Sequence, residues 1–143
     1  MNKFLISWLV LISFTVSAQA YQSTILDKPD VATIDYDEPD GYKSYTPTAQ
    51  EIKIAETILA QAVKTNPKIK DMNNYTRQYT GLINPKGEKI IGINCFYSSN
   101  PDKMFPNWKK QFVMVLDGGA NYFNIKINLT TGEYYDFWVN GEA

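Results

Sequence analysis

Three carboxylates near the end of the sequence are the residues best suited to acid–base chemistry: Asp117, Glu133 and Asp136. A glycosidase-type hydrolase needs two carboxyl groups across a sugar-binding cleft, about 5–10 Å apart. Asp117 and Glu133 stand at predicted turns, where acidic residues are common in any protein. We therefore expect a protein without catalytic residues, and a carboxylate-based hydrolase is kept as the second alternative.

The sequence contains few residues that could support other catalytic reactions or bind a metal. The sequence contains no histidine, which removes Ser-His and Cys-His pairs and imidazole metal ligands. Cys95 is the one cysteine, so neither a thiolate zinc site nor an intrachain disulfide can form. Its strand-like surroundings predict a buried thiol. No Walker or dinucleotide motif is present. We expect neither a metal nor a cofactor.

One acidic cluster superficially fits a calcium loop. It contains Asp35, Asp37, Glu38 and Asp40. An EF-hand loop needs an oxygen ligand at its fifth position and glycine at its sixth, where this sequence has Pro39 and Asp40. The preferred interpretation is a solvated acidic linker, with weak calcium binding as the alternative. The net charge of −1, without a clustered basic face, argues against a nucleic-acid partner.

Four aromatic residues are the candidate binding residues: Phe105, Trp108, Tyr134 and Trp138. Tryptophan and tyrosine are enriched at binding hot spots. Phe105 belongs to the longest irregular stretch, Ser98 to Asn107, which leads into Trp108, and such loops often carry function. The alternative is that both of these side chains are buried and pack on the core.

These observations favour an exported, non-catalytic binding protein that presents aromatic and loop residues. Its partner would be a protein, a peptide or an envelope polymer, and an inhibitor or an immunity protein is one form of this hypothesis. The first alternative is a small-molecule-binding protein whose apolar ligand lies in a pocket between helix and sheet.

The N-terminal 20 residues have the pattern of a secretory signal peptide. A short basic start with Lys3 precedes an apolar run, and Ala18-Gln19-Ala20 is a small-x-small cleavage signal. Cleavage after Ala20 would give a periplasmic or secreted protein that starts at Tyr21 and has no stable membrane anchor. Residues 21–47 are predicted to form a polar, acidic N-terminal arm.

Residues 48–143 are predicted to form a single α+β domain. Thr48 and Glu51 make a capping box at the start of an amphipathic helix, which ends at Asn66-Pro67. This helix should pack on an antiparallel sheet of about four to five strands. The predicted strands are the runs 75–83, 89–97, 111–116, 122–129 and 134–139.

The order of a helix followed by a meander resembles the cystatin-like and NTF2-like α+β architectures. A set of turn and core residues carries this resemblance, and the same set is similar to that of small exported bacterial proteins of unassigned function. These residues are Arg77-Gln78-Tyr79, Gly87-Glu88-Lys89, Trp108, Asp117-Gly118-Gly119, Tyr122-Phe123 and Asn140-Gly141. Cystatins inhibit cysteine proteases through a Gln-x-Val-x-Gly loop, which this sequence lacks, so the resemblance implies a fold and not an inhibitory activity.

Overall fold

A computed structural model of the chain describes residues 21–27 and 41–142. The predicted signal peptide, its cleavage site and the whole acidic cluster lie outside these residues. Within them, no helix has both the length and the apolar character needed to cross a membrane.

The main helix, α1, spans Ala49–Ala62, and one turn of 3₁₀ helix, Val63–Thr65, follows it. Its N-terminus is the predicted capping box. The Thr48 Oγ1 accepts a hydrogen bond from the Glu51 amide at 3.2 Å, and the Glu51 carboxylate accepts one from the Thr48 amide at 2.8 Å. The buried side of α1 carries Ala55, Leu59 and Ala62, as the apolar stripe predicts. The helix prediction is confirmed.

The strands are β1 Ser23–Ile25, β2 Lys43–Tyr45, β3 Tyr75–Ile83, β4 Lys89–Tyr97, β5 Tyr122–Asn128 and β6 Glu133–Val139. They form one sheet in the order β1-β3-β4-β5-β6, with β2 also paired to β3. The β3–β4, β4–β5 and β5–β6 pairs are antiparallel, as predicted. The fold is therefore α+β, with one main helix on a mostly antiparallel sheet. Within the described ranges the sheet has six strands, one more than the predicted upper count.

Two strands come from residues that the sequence assigned to a polar arm. β1 runs parallel to β3 beside Arg77–Tyr79, and β2 runs antiparallel to β3 beside Gly81–Ile83. Both strands have three residues, which is too short for alternation to be recognised. Gly81 permits the pairing with β2, because a Cβ there would collide with the Tyr45 backbone.

The predicted central strand at residues 111–116 is wrong: this segment forms no ladder in the sheet. Side chains of the sheet bind its backbone instead. The Gln78 Oε1 accepts a hydrogen bond from the Val113 amide at 2.8 Å, and the Asn94 Nδ2 donates to the Val113 carbonyl at 2.8 Å. Val113 packs in a small core cluster, whereas Met114 and Leu116 are exposed. Burial therefore accounts for only part of this apolar run.

The sheet has a covered face on each side. α1 packs on one face over the main core, which includes Tyr75, Ile93 and Phe123. A second cluster on the other face contains Phe96, Trp108 and Val113. Cys95 lies in the main core with no exposed surface, which confirms the buried free thiol. Burial raises the pKa of this thiol.

Candidate functional site

A groove of about 540 Å³ lies on the sheet face opposite α1. Most lining residues of β3, β4 and β5 have even numbers, because alternate residues share one face of a strand, and the two odd-numbered ones, Ile93 and Ile125, have side chains in the main core. Phe112, Phe137 and Trp138 are its aromatic lining residues. The full set of lining residues is Thr80, Gly92, Ile93, Asn94, Phe112, Asn124, Ile125, Lys126, Asp136, Phe137 and Trp138.

A β-bulge in β6 puts Trp138 on the groove side. Asp136 and Phe137 together stand opposite one residue of β5, because Tyr135 pairs with Lys126 and Trp138 pairs with Asn124. Asp136 has a φ of +48°, a left-handed conformation that aspartate tolerates better than most residues. The bulge shifts the alternation by one residue, so the side chains of β6 do not alternate strictly between the two faces.

After this shift, one face of β6 carries Tyr134, Phe137 and Val139. Tyr134 pairs with the buried Ile127, and its ring meets the Phe137 ring at 6.2 Å. Phe137 and Val139 pack against the main core. Trp138 instead stands opposite Asn124 and is 68% exposed. A large indole ring therefore reaches solvent at the rim of the groove.

The floor of the groove carries amide groups with unused hydrogen-bonding capacity. Asn94 is buried, and its Nδ2 donates to the Gln78 Oε1 at 2.9 Å and to the Val113 carbonyl at 2.8 Å. Both of its amide hydrogens are thus used, whereas its Oδ1 receives no donor from any described residue. The half-buried Asn124 side chain likewise makes no hydrogen bond within 21–27 and 41–142. These groups can bind a polar ligand.

The charged groups of the groove neutralise each other. The Lys126 Nζ lies 2.8 Å from the Asp136 Oδ2, and it also lies 5.6 Å from the centre of the Tyr135 ring. The Lys126 side chain is largely buried, while Asp136 is exposed. The pair gives the groove a local dipole and no net charge from its described lining residues.

The structure does not bring the four predicted binding residues together. Trp108 is only 2% exposed, and its Nε1 donates to the Asp102 Oδ1 at 2.9 Å. Phe105 is half-buried, and its ring meets the Phe96 ring edge-to-face at 5.2 Å. Phe105 and Trp108 thus pack on the core, as the alternative interpretation states. Trp138 lines the groove.

Tyr134 lies elsewhere, at a second recess of about 690 Å³ between α1 and the β5–β6 turn. This recess also contains Glu133 and is more open than the groove. The three carboxylates considered for catalysis are dispersed as well. Asp136 lines the groove, Glu133 lines the recess, and Asp117 lines neither. Among the described residues there is no group of three metal-ligating side chains.

The sequence does not identify four of the groove residues as site residues: Phe112, Asn94, Asn124 and Lys126. The residues of β5 alternate between apolar and polar types, a pattern that is equally typical of a strand with one face in water. Phe112 was hidden in an apolar run that was assigned to a strand. Gly92 has no side chain and leaves space in the floor. Its place there depends on the pairing of Gly92 in β4 with Lys126 in β5.

A buried polar cluster on the α1 side of the sheet has a structural role. The Arg77 Nε lies 3.0 Å from the Glu56 Oε1, which also accepts a hydrogen bond from the Tyr79 hydroxyl at 2.8 Å. The Tyr21 ring lies 3.6 Å from the Arg77 guanidinium. Burial raises the pKa of Tyr79, so its hydroxyl remains a donor. These contacts fasten the start of the described chain to the sheet.

Comparison with known proteins adds no identification: no protein-family model, curated protein or solved structure matches the chain.

Proposed function

We propose that this is an exported, non-catalytic binding protein and that its ligand occupies the groove between Phe112 and Trp138. The observation that carries the proposal is the exposed Trp138 side chain, which stands opposite the unpaired amide of Asn124. Binding sites combine aromatic surface with a few polar groups that fix orientation, and this groove has both.

The partner class is a protein, a peptide or an envelope polymer in the periplasm or outside the cell. An inhibitor or an immunity protein remains one form of the proposal. The α+β order is compatible with the cystatin-like and NTF2-like architectures, and we propose that resemblance for the fold alone. A carboxylate-based hydrolase is the less favoured hypothesis, because Asp136 is the one carboxylate among the described lining residues and Lys126 is its ion-pair partner.

Site-specific photo-crosslinking tests the proposal in cells. A benzoylphenylalanine placed at Phe112 should form an adduct with the partner, while the same group at Ile54 should not. Ile54 is a suitable control because it is an exposed apolar residue on α1, which packs on the other face of the sheet. The Trp138→Ala substitution should remove the adduct formed at position 112. Equal labelling from both positions, or none from position 112, would contradict the proposal.

A small-molecule-binding protein is the second candidate. The groove volume of about 540 Å³ lies within the range of ligand pockets, about 300–1,000 Å³. Native mass spectrometry of protein purified without denaturant separates the two candidates. A retained small mass that disappears in Trp138→Ala favours this candidate, whereas a macromolecular adduct in the crosslinking experiment favours the first.

A further inference from the structure

We infer that the groove between Phe112 and Trp138 takes a neutral, hydroxyl-rich ligand, namely a segment of a glycan chain. This inference rests on the proposed function and narrows it to one ligand class. Two independent features of the groove carry it, its charge and its unused hydrogen-bonding groups, and its position on the sheet favours recognition by side chains.

The charge of the groove argues for a neutral ligand. Lys126 and Asp136 are the charged residues of the described lining, and they are 2.8 Å apart. An anion would have to compete with Asp136 for the ammonium group, and a cation would have to compete with Lys126 for the carboxylate. The Lys126 side chain is largely buried, so breaking its ion pair with Asp136 is costly.

The hydrogen-bonding groups of the floor fit hydroxyls. The free Oδ1 of Asn94 needs a donor, and the Asn124 amide offers two donors and an acceptor. A hydroxyl both donates and accepts, so adjacent hydroxyls on one sugar ring can serve both side chains. The C–H face of the same ring is apolar and can pack on the indole ring of Trp138, whose exposed area would then be covered.

The position of the groove distinguishes a glycan from a peptide. Peptides that bind sheets commonly add a strand at an open edge, where unpaired backbone groups supply the hydrogen bonds. The groove instead lies over the face of β4 and β5, whose neighbouring residues are paired on both sides in the ladders β3–β4, β4–β5 and β5–β6. A peptide lying over that face would meet mainly side chains, which leaves much of its main chain without partners. β6, which supplies Asp136, Phe137 and Trp138, is the edge strand of the described sheet, so the peptide probe below tests this alternative directly.

Tryptophan fluorescence provides a direct test. A chain that starts at Tyr21 contains two tryptophans, the buried Trp108 and the exposed Trp138. Iodide should therefore quench Trp138 almost exclusively, and a ligand in the groove should protect it. The probes are neutral tetrasaccharides of glucose, mannose, galactose and N-acetylglucosamine, a tetrasaccharide of galacturonic acid, and an uncharged blocked tetrapeptide of alanine and serine.

We expect at least one neutral tetrasaccharide to protect Trp138 in a saturable manner. The Asn124→Leu variant should weaken its affinity about tenfold, as the loss of one or two hydrogen bonds predicts, while Ile54→Ala should bind normally. Protection by the peptide or by the galacturonic acid probe instead of any neutral saccharide would overturn this inference and leave the binding function standing. Protection by none of the probes, together with the absence of a crosslink from position 112, would overturn both.

Discussion

The side chains of Gln78 and Asn94 lie directly opposite each other on β3 and β4, and together they bind the backbone of a segment outside the sheet. The Gln78 Nε2 donates to the carbonyls of Trp108 and Gln111. Its Oε1 accepts from the Val113 amide and from Asn94. The pair thus replaces a strand ladder and holds Phe112 beside the groove.

Replacing this pair should be costly. Gln78→Leu leaves the Val113 amide and the Trp108 carbonyl buried without their partner and also removes the part-buried bond to the Gln111 carbonyl. We therefore expect a loss of at least about 2 kcal/mol in the free energy of unfolding. Asn124→Leu is the matched control, because that amide has no described partner, and it should change stability by less than about 0.5 kcal/mol. Urea denaturation followed by circular dichroism measures both values. Equal losses for the two variants would show that the amide pair does not hold the segment.

The bulge in β6 gives a second prediction. Asp136 has a φ of +48°, which valine adopts with difficulty and asparagine tolerates. Both substitutions remove the charge that faces Lys126, so their difference isolates the backbone conformation. We expect Asp136→Val to be less stable than Asp136→Asn by about 1–2 kcal/mol. Identical urea midpoints would mean that the left-handed conformation contributes little strain.

Glu51 should make stability depend on pH. Burial acts to raise the pKa of Glu51, but hydrogen bonds from Lys89 and Thr48 outweigh it and lower the pKa. The stabilisation is therefore present above the ordinary glutamate pKa of about 4.3 and is lost as the pH falls through the lowered value. Thermal unfolding between about pH 6 and about pH 3 should show a shallower loss in Glu51→Gln than in the unsubstituted protein. Parallel curves would contradict this assignment.

Cys95 should be unreactive in the folded protein. Burial raises the pKa of the thiol, and the side chain has no exposed surface. Ellman's reagent should therefore label it only as fast as the protein opens, and completely in urea. A chain with Cys95→Ala and Ser99→Cys is the control, because Ser99 is exposed and the new thiol should react at once. Immediate labelling of Cys95 in the native protein would be inconsistent with this packing.

The features that the sequence predicted well depend on neighbouring residues. The capping box of Thr48 and Glu51 and the strand pattern of β5 are both local patterns. Both are present in the fold, where the buried face of α1 and the buried face of β5 meet in the same core.

The features that the sequence did not predict depend on distant partners. Residues 111–116 are held by Gln78 and Asn94, and no local signal distinguishes such a segment from a strand. The bulge at Asp136 shifts the alternation of β6 with no glycine to mark it. Trp138 is a candidate from the sequence, but the rest of the groove depends on the pairing of β3, β4, β5 and β6 and on the position of Phe112.

Amide and indole chemical shifts of the ¹⁵N-labelled protein, recorded with and without the neutral tetrasaccharides, test the groove most directly. We predict that the signals of the Trp138 indole N–H and the side-chain amides of Asn94 and Asn124 move together with added saccharide. The Trp108 indole N–H, which is buried and bound to Asp102 at 2.9 Å, should stay in place as the internal reference. Shifts confined to α1 or to the Tyr134 recess, or no shift at Trp138, would contradict a binding site in this groove.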